Sequence, residues 1–139
     1  MKLDAIPVVA VSARGPHAAL TGNAGVVLRE IAEKVRLLVD AGEASTIDLL
    51  AMPLSAADLA WLRERLGAGE VRITLDAEGE SSLNETSCPG VWWVTHRNAQ
   101  GGVASAFIEV AVVPELAMAP IDDVAAGLDR LDLLISDLS

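Results

Sequence analysis

Glu85-Thr86-Ser87-Cys88-Pro89-Gly90-Val91-Trp92-Trp93-Val94 is the stretch whose reading decides the fold of this chain. A Pro-Gly turn interrupts it, and an apolar run follows directly. β-branched and aromatic residues after a turn read as the start of a strand. Side chains on a strand alternate between faces with a period of two. Two adjacent tryptophans therefore point to opposite faces of a sheet. One enters the core. The other needs a cover, from a helix of the same chain or from another molecule.

Downstream, Val91 to Arg97 and Val103 to Val113 flank Asn98-Ala99-Gln100-Gly101-Gly102, a hairpin loop by composition. In the second arm Ala104, Ala106, Ile108, Val110 and Val112 share a face, which we assign to the core. Phe107 and Glu109 then point away from it. Loop length decides which tryptophan joins the core. A three-residue loop centred on Gln100 sets Trp92 opposite Ile108, and Trp93 opposite Phe107 as an aromatic pair on the non-core face. A two- or four-residue loop reverses the parity. Both assignments stay open. Arg97 and Glu109 are expected as a cross-strand ion pair, contributing about 0–1 kcal/mol if exposed.

Upstream, Glu70 to Glu78 alternates strictly, with Val71, Ile73, Leu75 and Ala77 on one side, as a half-buried strand does. Ser82 to Ser87 reads as a short partner strand. Asn23 to Ala41 is predicted to be a helix, with Val27, Leu28, Ile31, Val35 and Leu38 at spacings of three and four and Gly42 just past its end. Thr46 to Leu50 reads as a strand or a bridging turn. Ser55 to Leu66 is a second helix, opened by a Ser55/Asp58 capping pair and stopped at Gly67. A last helix runs from Pro120 to about Leu138, with Ile121, Val124, Leu128, Leu131, Ile135 and Leu138 on one stripe and Asp122, Asp129, Asp132 and Asp137 largely opposite. Helices, then antiparallel strands, then a helix predict an α+β domain of two layers, a sheet packed against about three helices. Residues 1–22 read as a tail or short strand, and 23–139 as a single domain.

The chain has 139 residues, a net charge of −10 and a single cysteine. That length supports a core without disulfides or a structural metal. The charge argues against nucleic acid, which needs a basic face, and favours a basic partner. One cysteine makes no internal disulfide, which fits a reducing compartment. Residues 1–7 carry no sustained apolar run after a basic patch, and no run of about 18 apolar residues follows, so neither a signal peptide nor a membrane span is expected. The reading is cytoplasmic.

No residue set assembles into a catalytic, cofactor or metal site. Cys88, His96 and His17 lack the close ligand pairs of a zinc site. A Cys88–His96 dyad would span about 20 Å if the strand lies between them. Gly67-Ala68-Gly69 follows a helix and precedes a strand, the reverse of a phosphate cradle. Glu85 reads as a carboxylate accepting backbone N–H bonds from the turn, or else as a partner contact. Trp92, Trp93 and Phe107 read as core or as an interface. Asp129 and Asp132 read as a solvated face or as an acidic docking face.

Leu66-Gly67 with Gly69-Glu70-Val71, then Glu85-Thr86, then Pro89-Gly90-Val91-Trp92, then Ile108-Glu109-Val110 with Val113-Pro114, form an ordered set. It resembles the conserved region of the HupH/HyaF/HoxQ hydrogenase expression and formation proteins, over roughly Asn23 to Leu116. The resemblance implies an accessory protein in the maturation of nickel-iron uptake hydrogenases. It implies action on the small subunit or its iron-sulfur clusters, and no enzymatic activity. It also implies a twin-arginine export signal on that subunit, which an acidic face would attract. The expected partner-binding residues are Glu85, Trp92, Trp93, Phe107, Asp129 and Asp132. The partner is the small subunit or another accessory protein, with no cofactor; a homodimer closed by the aromatic face is a third reading. The alternative is an enzyme or ligand-binding domain whose pocket would have to gather His96, Glu85 and Cys88.

Overall fold

The computed structural model describes residues 19–77 and 79–138; most of the expected tail at 1–22 lies outside the described residues. The elements, in order, are α1 (Asn23–Ala41), β1 (Ser45–Asp48), α2 (Ala56–Leu66), β2 (Arg72–Ala77), β3 (Gly79–Glu85), β4 (Val91–Arg97), β5 (Val103–Val110), a 3-10 turn (Glu115–Ala117) and α3 (Ile121–Ser136). The strands form one sheet in the order β1-β5-β4-β3-β2, antiparallel throughout. The fold class is α+β, as the order of elements predicts. Of the segment 46–50, residues 46–48 belong to β1 and pair with β5, while Leu49 and Leu50 fall in the bend and turn after it.

α1 forms where its apolar spacing places it, and Ala24, Val27 and Ile31 carry its buried stripe. Gly42 ends it at φ 72°, with its N–H on Leu38 O at 3.0 Å. That left-handed conformation is cheap for glycine alone. α2 opens with a complete capping box: the Asp58 N–H donates to Ser55 Oγ at 3.0 Å, and the Ser55 N–H to Asp58 Oδ2 at 2.9 Å. The same carboxylate accepts from the Thr21 N–H at 2.9 Å and from the Thr21 hydroxyl, so it ties the entry of α1 to the start of α2.

α1 and α2 cover one face of the sheet. Val27, Ile31, Leu62 and Leu66 pack there against Ile47, Leu49, Val91, Trp93, Ile108 and Val110. A second apolar cluster lies on the strands alone: Leu83, Trp92 and Val94 with half-buried Ile73, Leu75 and Phe107. No residue of a described helix belongs to it. α3 is present with the expected stripe, yet it contributes no buried residue; Ile121 is 78% exposed and Leu128 58%.

The hairpin has the reversed parity. Trp93 pairs with Ile108, Val94 with Phe107, and Trp92 with Glu109. The core face of β5 is as assigned at Ala106, Ile108 and Val110, while Val112 is exposed. An irregularity between His96 and Arg97 explains the parity. Ser105 opposes His96, but Val103 opposes Arg97, which leaves Ala104 as an extra residue. The Trp93–Phe107 aromatic pair therefore does not form. Nor does the Arg97–Glu109 pair: Arg97 Nη1 donates to Gly101 O at 3.1 Å, and Glu109 Oε2 accepts the Glu115 N–H at 2.9 Å.

Candidate functional site

Trp93 lies under the guanidinium of Arg63, whose Cζ stands 4.9 Å from the ring centroid. Both border a cleft of about 440 Å³ between the end of α2 and β2–β4, lined also by Arg72, Asn84, Glu85 and Thr86. Partial burial lowers the pKa of Arg63 from its ordinary value. A guanidinium stacked on indole and partly stripped of water suits a carboxylate or a backbone carbonyl as a ligand.

The floor of the cleft is a hydrogen-bonded knot at one end of the sheet. The Gly69 N–H donates to Glu85 O at 2.8 Å, and the Glu85 N–H to Val71 O at 2.9 Å. The Glu85 carboxylate accepts the Glu70 N–H at 3.2 Å. Its backbone donor thus comes from the α2–β2 connection and not from the Pro-Gly turn. Thr86 is buried; its hydroxyl donates to Val91 O at 2.9 Å and accepts the Cys88 N–H at 3.1 Å, which closes the turn before β4. Gly69 has no room for a side chain: a Cβ there would lie 2.5 Å from Thr86 O. Beyond the turn, the Ala111 N–H donates to Gly90 O at 2.9 Å and Trp92 Nε1 donates to Ala111 O at 3.0 Å. Segments far apart in sequence meet here, and they are the ones that carry the ordered motif set.

The expected site residues fall in three places. Glu85 and Trp93 border the cleft. Trp92 and Phe107 lie in the strand-only cluster on the other face, with Trp92 5% exposed and Trp93 6%. Both tryptophan rings are buried, each on its own face of the sheet. Asp129 and Asp132 are exposed on α3. Sequence reasoning missed Arg63 and Arg72; Arg63 follows Leu62 on the buried stripe of α2, so its reach to Trp93 depends on the hairpin parity.

His96, Glu85 and Cys88 do not converge. His96 Nδ1 lies 2.6 Å from Ser81 Oγ, its ring centroid 5.6 Å from that of Phe107. Glu85 pairs with Trp92, four residues along β4 from His96, about 13 Å at 3.3 Å per residue. Cys88 is exposed in the turn. Among the described residues no three His, Cys, Asp or Glu side chains group as metal ligands, and no helix is long and apolar enough to cross a membrane.

The model for the C-terminal conserved region of the HupH hydrogenase expression protein matches residues 21–138. The chain belongs to the HupH hydrogenase expression protein family. Its HupH-type fold is similar to the solved hydrogenase expression protein HupH from Thiobacillus denitrificans, at 57% identity and a TM-score of 0.83, over 86% of this chain and 99% of that one. It is 32% identical over 111 residues to the hydrogenase expression/formation protein HupQ of Azotobacter chroococcum, covering 78% of this chain and 39% of that protein. With HupH of Rhizobium leguminosarum the identity is 32% over 117 residues, covering 84% and 42%. The chain spans about two-fifths of the length of these curated relatives. The HupH-family match includes α3 as well as the sheet.

Proposed function

We propose that this chain is a non-catalytic accessory factor in the maturation of a nickel-iron uptake hydrogenase, acting in the cytoplasm on the small subunit or on another maturation factor. Membership of the HupH family over residues 21–138 is the observation that carries this reading. The cleft supplies a compatible mode. Arg63 and Arg72 would take carboxylate or carbonyl groups of an extended partner segment, with Glu85 beside them for its cationic groups. Asp129 and Asp132, exposed on α3, would attract a basic stretch such as an export signal.

The test is capture of partners by the tagged protein from cells that accumulate the hydrogenase, with captured subunits identified by mass. Glu85→Gln, Arg63→Ala and an Asp129→Lys/Asp132→Lys double variant run beside it. Capture of the small-subunit precursor, reduced by the cleft variants, supports the cleft as the grip. Capture unaffected by the cleft variants keeps the role and moves the contact. No hydrogenase component at all would overturn the role.

A further inference from the structure

β2 is one edge of the sheet. It pairs with β3 on one side, and no described strand lies on the other. Val71 O accepts the Glu85 N–H at 2.9 Å. Hydrogen bonding alternates along an antiparallel strand. Ile73 and Leu75 therefore turn their backbone groups to β3, while Arg72, Thr74 and Asp76 turn theirs outward. Among the described residues, the outer edge of β2 is a row of backbone donors and acceptors without partners. The opposite edge is a poorer template. β1 has four residues, and Asp48 at its end accepts the Leu50 and Ala51 N–H groups at 3.0 and 3.3 Å.

The side chains of β2 carry a pattern suited to one strand in particular. Arg72 heads the cross-strand row of Asn84 and Trp93, so Arg72, Thr74 and Asp76 lie on the helix side of the sheet. All three are exposed. Ile73 and Leu75, on the other side, are half-buried against the strand-only cluster. Along the chain the order is basic, apolar, polar, apolar, acidic. Run antiparallel to itself, that order is its own complement. With Thr74 opposite Thr74, Arg72 meets Asp76 twice and Ile73 meets Leu75 twice. Centring the pairing on residue 72 or 76 sets Arg72 against Arg72, or Asp76 against Asp76, and like charges directly opposite are destabilising.

We propose that two copies of this chain pair through β2, antiparallel about a two-fold axis at Thr74, and join their five-stranded sheets edge to edge. The outward backbone groups of Arg72, Thr74 and Asp76 then bond to those of the second copy. The partner's Asp76 stands beside Arg72, at a cross-strand Cβ separation of about 5 Å. Arg72 lines the cleft, so the second copy lies along that side of it. Arg63, stacked on Trp93 behind Arg72, stays available to an extended segment. Pairing over five residues covers less than the roughly 1,200 Å² of a stable interface. The dimer is therefore concentration-dependent, with a dissociation constant on the order of 10–100 µM. This pairing stands apart from the hydrogenase role, and the failure of either leaves the other in place.

Sedimentation of the whole chain in about 0.15 M salt, which screens the −10 of each copy, tests it. The mass should rise from 14.5 kDa towards twice that value as concentration passes about 100 µM. Thr74→Pro removes an outward N–H and none of the bonds to β3. It should weaken dimerisation at least about tenfold while the thermal melt is kept. Arg72→Asp and Asp76→Arg each set like charges opposite one another twice, and each should weaken it at least about tenfold. Mixed in equal amounts, these two variants regain both opposite-charge pairs, and the mixed dimer should form as tightly as the wild type. A wild type still monomeric at about 0.5 mM overturns the proposal. So does a dimer indifferent to Thr74→Pro, which places the contact elsewhere. Charge variants that associate no better mixed than alone overturn the pairing about Thr74.

Discussion

Asp58 shows how one buried carboxylate can be both cap and tether. Burial pushes its pKa up, but the hydrogen bonds from Thr21 and Ser55 outweigh that and bring it down from 3.8 to about 2. A depressed carboxylate pKa contributes stability above its unfolded value, and that contribution is lost as pH falls through the folded one. Asp58→Asn should therefore cost about 2 kcal/mol near neutral pH. The gap to the parent should narrow between about pH 4 and pH 2, as read from urea midpoints over that range. Gly69 is the complementary case, a residue defined by the atom it cannot carry. Gly69→Ala drives a methyl into Thr86 O and the Glu85 carboxylate. The expected cost is about 1–3 kcal/mol, measured by chemical denaturation. The Ser55/Asp58 cap was readable from spacing alone; the Thr21 tether was not, because it joins residues 37 apart in sequence.

At the scale of elements, the helices and strands follow the apolar periodicities closely, since α1 and α2 each present one stripe and β2–β5 are strands joined in succession. What periodicity could not supply was the register of β4 on β5. One unpaired residue, Ala104, reverses which tryptophan enters the helix-covered core, and a loop of glycines and small polar residues gives no signal for that count. The candidate site inherited the ambiguity: Glu85 was readable from the motif, whereas the stacking of Arg63 on Trp93 needed the parity. Two substitutions separate the faces. Trp93→Ala empties a core position, and the expected cost is about 3–5 kcal/mol. Trp92→Phe keeps most of the volume and removes only the donor to Ala111 O, so about 1–2 kcal/mol is expected. Thermal melts with tryptophan emission would show whether the larger loss belongs to residue 93.

For the whole molecule, the acidic balance matters more than any single pair. The net charge is −10, and α3 carries four aspartates, with Asp137 just past its end, against Arg130. Attraction of a basic segment to such a face weakens as salt shortens the Debye length from about 10 Å at 0.1 M to about 3 Å at 1 M. Binding of a basic peptide should fall severalfold over that range, and further in Asp129→Lys/Asp132→Lys, by fluorescence anisotropy. Binding indifferent to both changes would remove electrostatics from the mode. The stripe and acidic face of α3 were legible in sequence. Its lack of a seat on its own domain was not, because an amphipathic pattern states that a helix has an apolar side and not whose surface covers it.

The strand order has a consequence for the chain as it is made. β1 is synthesised before every other strand of the described sheet, yet its neighbour there is β5, the last of them. Synthesis proceeds from the N-terminus. Until Val110 has emerged, α1 and α2 have no finished sheet to lie on, and β1 offers unpaired backbone to any passing strand. From the emergence of β1 onward the nascent domain is therefore an incomplete surface, closed only when the strand that follows the tryptophans arrives.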